Sequence, residues 1–72
     1  MSQRLTDEEI EEVAARVDVL KLEHRDLDVA ITTLQEQTFV DPMLMRRMKK
    51  RKLFLKDMIS KLESMMIPDM PA

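Results

Sequence analysis

His24 is the only histidine in the chain, and Glu23 and Asp28 stand beside it at spacings that a helix would make neighbours, so metal ligation or acid–base chemistry is weighed first. A zinc site needs three or four ligands, and di-iron bundles carry Glu-x-x-His on two helices. Position 21 is Lys, so that spacing is absent. A polar residue at a heptad a position more commonly fixes register or oligomeric state. His24 is therefore read as structural, with a pH- or metal-responsive contact between two copies as the alternative. Ser2, Ser60 and Ser64 have no nucleophile motif around them, and one histidine leaves nothing that points to a triad. Zero Gly removes most phosphate-loop designs, and zero Cys removes thiolate zinc sites and thiol nucleophiles. No catalytic, cofactor-binding or metal-binding residue is expected, and the chain is not expected to be an enzyme acting on a small-molecule substrate.

The densest charge is Arg46-Arg47-Met48-Lys49-Lys50-Arg51-Lys52, with six bases in seven residues. Such a run suits nucleic acid or an anionic membrane surface. No aromatic residue lies within it for base stacking, and no DNA-reading helix is recognisable. The preferred reading is a solvated helix face whose inner members, Arg51 and Lys52, pair with Glu23, Asp26 or Asp28. The near-balance of 12 bases and 14 acids hides a division. Residues 1–41 carry eleven acids and four bases, whereas residues 42–72 carry three acids and eight bases.

Two helices must position these groups. Thr6 and Glu9 form a capping-box pair, Leu5 and Ile10 occupy the hydrophobic-staple positions, and Asp7, Glu8 and Glu9 place negative charge on the positive end of the helix dipole. Ile10, Val13, Val17, Leu20, His24, Leu27, Ile31, Leu34 and Thr38 then alternate steps of three and four, an a/d seam. The spacing predicts a first helix over 7–38, about 48 Å long at 1.5 Å per residue, and a turn at 39–41. Asp41 is the expected N-cap and Pro42 the expected first residue of a second helix, 42–66, of roughly 37 Å. Leu44, Met45, Met48, Leu55, Met58, Ile59, Leu62, Met65 and Met66 would supply its inner face, interrupted by Arg51 and Lys52. A proline-rich tail, 67–72, completes a single domain spanning 1–72.

So short a connection makes the helices antiparallel, with facing residue numbers that sum to about 82. Glu23, His24 and Asp28 would then lie across from Lys52, Lys56 and Asp57, a cluster of charged pairs that locks register. Seven of the eight methionines fall from Met43 onward, where a flexible thioether fills an irregular core or an adaptable groove. Val19, Leu22 and Val29 lie off the seam, and Leu53 and Phe54 lie on the outer side of the second helix. These five apolar residues form the expected oligomer face. The predicted fold is thus all-α, an antiparallel two-helix coiled-coil hairpin assembling into a four-helix bundle dimer or a higher oligomer. The N-terminus lacks an apolar signal region and no apolar run approaches about 18 residues, so the protein is expected in the cytoplasm.

Leu22-Glu23-His24-Arg25-Asp26-Leu27-Asp28, followed by Ile31, and Met48-Lys49-Lys50-Arg51-Lys52-Leu53-Phe54-Leu55-Lys56-Asp57-Met58-Ile59 resemble the paired segments of the YdcH-like family of small bacterial proteins of unknown function. The resemblance spans most of residues 20–62; Met48 stands where Leu is common. It implies a cytoplasmic bacterial helical hairpin and transfers no activity, cofactor or catalytic residue. The expected function is that of a non-enzymatic interaction or adaptor protein acting by self-association and protein binding. The alternatives are a nucleic-acid- or membrane-associating regulator using residues 46–52, and a switch centred on His24.

Overall fold

The computed structural model describes residues 5–66, and the expected tail, 67–72, lies outside the described residues. Among the described residues there are two α-helices and no strand: α1 (Asp7–Gln35) and α2 (Pro42–Met66). Thr6 is extended at φ −71° and ψ 164°, and its hydroxyl accepts from the Glu9 amide at 3.2 Å. The Thr6 amide in turn donates to Glu9 Oε1 at 2.9 Å, which closes the capping box. That backbone hydrogen bond, with the Thr6 side chain, holds the Glu9 carboxyl below its ordinary range.

α1 stops at Gln35, three residues before the expected Thr38. Its end tightens: the Glu36 amide donates to Thr33 O at 3.3 Å and the Gln37 amide to Leu34 O at 3.1 Å, both i to i−3 bonds. Thr32 and Thr33 turn their hydroxyls back onto the carbonyls of Asp28 and Val29, each at 2.9 Å. Thr38 therefore leaves the seam and lies exposed in the connection. The link occupies residues 36–41 instead of 39–41, and it carries Phe39 out to 83% exposure. Asp41 Oδ1 then accepts from the Met43 amide at 2.9 Å, and its carbonyl accepts from Met45 at 3.1 Å, so Asp41 caps α2.

The helices lie antiparallel, side by side, in a molecule measuring 51 × 23 × 17 Å. Val17, Leu20 and Ile31 of α1 and Leu55 of α2 are buried, Leu55 completely. Ile10, Val13, His24, Leu27 and Leu34 continue the seam at half-burial, joined by Ala14 and Ala30. On α2, Met45, Met48, Met58, Ile59, Leu62 and Met66 are half-buried. Leu44 and Met65, assigned to the inner face, are exposed: Leu44 lies in the first turn of α2, and Met65 lies three turns after Phe54 on the same outer side. Arg51 is also outside, whereas Lys52 lies half-buried beside the seam. Asp28 meets Lys52 and Lys21 meets Glu63, pairs whose numbers sum to 80 and 84, and these contacts set the register.

Candidate functional site

The charged groups divide between the two long sides of the hairpin, because successive helix residues point about 100° apart. On one side the Lys52 ammonium donates to the Asp28 carboxylate. The lysine side chain keeps 34% of its exposure, its stem lying against apolar surface while its head is paired. The hydrogen bond from Lys52, followed by its charge and to a smaller degree that of His24, holds Asp28 below its ordinary 3.8. Around this pair runs an open groove of about 680 Å³ between the helices. Lys21, His24, Asp28, Ile31, Thr32 and Gln35 line it from α1; Lys49, Lys52, Leu53, Lys56 and Ile59 line it from α2. Lys21 Nζ pairs with Glu63 at 3.2 Å.

His24 Nε2 is buried and has no hydrogen-bond partner. An unpaired polar group out of water costs about 1–3 kcal/mol, a cost that an apolar side chain at position 24 would not carry. Lys49 and Lys56, two turns apart, form no ion pair among the described residues. Asp57, by contrast, pairs within its own helix with Lys61 at 3.2 Å and is not brought to α1.

On the opposite side Arg51 reaches Glu23 Oε2 at 3.4 Å, while its guanidinium carbon sits 5.3 Å from the centre of the Phe54 ring. A planar cation here spans a carboxylate and an aromatic face at once. The basic run is thereby dispersed. Lys49 and Lys52 face the groove, Arg51 faces the other side, and Arg46 and Lys50 line a second depression with Pro42, Met45, Lys49 and Leu53. Arg47 lines neither.

Val19, Leu22, Val29, Leu53 and Phe54 are all exposed, but the structure does not gather them onto one face. Leu53 borders the groove and Phe54 lies on the Arg51 side. Leu22 and Val29, seven residues apart, share the outer side of α1, away from buried Leu20 and Ile31. Val19 precedes Glu23 by one turn and so belongs to the Arg51–Phe54 side, as does exposed Met65, three turns beyond Phe54. Sequence reasoning did not name Lys21, Glu63, Thr32 or Gln35. The opposite charges of Lys21 and Glu63 at numbers summing to 84 were the available signal for that pair. Among the described residues no group of three His, Cys, Asp or Glu could hold a metal ion, and no helix is long and apolar enough to cross a membrane.

Fold and site together define a small helical hairpin whose two strands of charge are cross-paired over a thin apolar seam. The chain belongs to the family described as Protein of unknown function (DUF465), whose model matches residues 18–63, well over half of the sequence. YdcH is a member of the same family, in agreement with the resemblance of the two charged segments. The matched stretch holds all three cross-helix pairs found among the described residues, Lys21–Glu63, Glu23–Arg51 and Asp28–Lys52. Neither the curated proteins nor the solved structures contain a match to the chain.

Proposed function

We propose that this chain is a non-enzymatic interaction protein of the cytoplasm that acts by self-association, two hairpins packing as a four-helix bundle that presents its remaining surface to a protein partner. The observation that carries the reading is the ratio of burial to exposure. Among the described residues four apolar side chains are buried, while Val19, Leu22, Val29, Phe39, Met43, Leu44, Leu53, Phe54 and Met65 stay exposed. So short a chain buries little surface alone, and a second copy is the cheapest source of more.

The side carrying Val19, Phe54 and Met65 suits a two-fold contact, since both helices contribute apolar groups to it and Arg51–Glu23 supplies a directional pair at its edge. Covering each of these half-exposed side chains would contribute about 1 kcal/mol. Leu22 and Val29 would remain outside such a dimer, where they fit a second contact in a higher assembly. Sedimentation velocity at micromolar concentration tests this. A dimer or larger species is expected, and Phe54→Glu, with helicity retained, should return it to monomer; a wild-type chain that sediments as a monomer across that range refutes the reading.

A further inference from the structure

We propose that the hairpin docks end-on at an anionic lipid surface, link end down, with Phe39 and Met43 sunk to the edge of the acyl chains and Arg46, Arg47 and Lys50 among the headgroups. Folding gives the molecule a polarity along its length that is distinct from the division between helices. The link and the helix segments flanking it, residues 29–53, carry six bases and two acids, whereas the opposite end, residues 5–20 and 62–66, carries one base and seven acids. α1 has no charged residue after Asp28, so its last two turns offer no partner to the bases of α2 beside them. Among the described residues Arg46, Arg47, Lys49 and Lys50 form no ion pair, while Arg51 and Lys52 are engaged by Glu23 and Asp28.

The second observation is independent of charge. Phe39 is 83% exposed and Met43 72%, and Leu44 beside them is exposed as well, so three apolar side chains stand in water within six residues at one tip of the molecule. Arg46, Arg47 and Lys50 follow Met43 by three, four and seven residues and so share its side of α2. They lie about 4.5, 6 and 10.5 Å farther from the tip. A headgroup layer is roughly 5–7 Å deep on each leaflet, so Met43 at the acyl boundary sets these cations at and just above the phosphates. The end-on orientation follows from the same charges. The molecule is 51 Å long, and its acidic end then stands well beyond the Debye length of about 8–10 Å, where the anionic surface no longer repels it. Lying flat would press those acids against like charge. A nucleic-acid strand would engage the same cations and leave Met43 and Leu44 in water, which disfavours it as the occupant.

The test is co-sedimentation of the full chain with vesicles of phosphatidylglycerol and phosphatidylcholine in equal parts, against phosphatidylcholine alone. Association with the anionic vesicles only is expected. Arg46→Gln, Arg47→Gln and Lys50→Gln together should weaken it about a hundredfold, since each cation near an anionic surface contributes about fivefold. Phe39→Ser with Met43→Ser should weaken it at least about tenfold. All five positions are exposed, so helicity should be retained, and Lys61→Gln, a loss of charge away from the link, should leave association unchanged. The chain has no Trp, so Phe39→Trp supplies a single probe. Its emission should shift to the blue on anionic vesicles and be quenched by brominated lipid, while Ala15→Trp, at the acidic end, should not respond. None of these variants touches Val19, Phe54 or Met65, so the association state of the chain is measured separately. Absence of association with anionic vesicles, an equal response of Ala15→Trp, or indifference to the Phe39 and Met43 changes overturns the proposal. So does a short oligonucleotide that binds more tightly than the vesicles.

Discussion

The two long sides of the hairpin are built from adjacent residues of one helix, yet they pair their charges differently. On one side Lys52 lies half-buried and meets Asp28 over an open groove; on the other Arg51 lies across Phe54 and meets Glu23. A lysine concentrates its charge at the tip of a flexible stem and leaves space around it, whereas an arginine spreads its charge over a plane that covers an aromatic ring. The lysine side therefore keeps a concavity, and the arginine side sets an ion pair beside an exposed aromatic ring.

The largest disturbance is expected where both sides rest on the same atom group. Leu55 is fully buried and is the one buried side chain that α2 contributes among the described residues. Leu55→Ala should cost about 3 kcal/mol. For a chain this small that is most of the available stability, and denaturant melts followed by circular dichroism should show loss of both sides together. Separate melting of α1 and α2 would mean that the hairpin is not one cooperative unit.

A smaller change of opposite sign distinguishes the groove side. His24→Leu replaces an unpaired buried nitrogen with an apolar group of fitting size, and should raise stability by about 1 kcal/mol in the same melts. A loss of stability would mean that His24 makes a contact worth more than the cost of its burial. On the other side, Arg51→Lys keeps the charge and removes the plane. About 0.5 kcal/mol should be lost with the Phe54 contact, and a double-mutant cycle with Phe54→Leu isolates it; zero coupling would reduce Arg51 to a solvated charge.

How far this was legible in the sequence differs between the ends and the sides. Thr6–Glu9 and Asp41–Pro42 encode their caps within four residues, so the beginnings of both helices can be read directly. The end of α1 cannot, because a seam of period three and four continues formally to Thr38 while the chain has already tightened through the Thr33 and Leu34 carbonyls. What ends the helix is the path the connection must take to bring α2 alongside, a property of the pair and not of the segment. The same holds for the charged run. Its six bases in seven residues read as one patch along the chain, but a rotation of about 100° per residue sends Arg51 and Lys52 to different partners. Likewise Leu53 and Phe54, neighbours in sequence, end on different sides, and the single apolar face expected from them becomes three surfaces.

The smallest expected effect tests whether the Lys52–Asp28 pair acts through charge at all. Asp28 is held below its ordinary 3.8 by the hydrogen bond and charge of Lys52. A carboxyl depressed in the folded state contributes stability that is fully present above its unfolded value and is lost as pH falls through the folded one. The melting temperature of wild type should therefore exceed that of Asp28→Asn near neutral pH, and the difference should shrink below about pH 4 and vanish as the carboxyl protonates. The difference should be small, since Asp28 is largely solvated, and added salt should reduce it. Glu9 is lowered as well, by the Thr6 amide, so the acid limb of the wild-type curve contains both groups and only the wild-type-minus-variant difference isolates Asp28. A difference that stays constant from neutral pH into acid would show that Asp28 acts by its shape and packing and not by its charge.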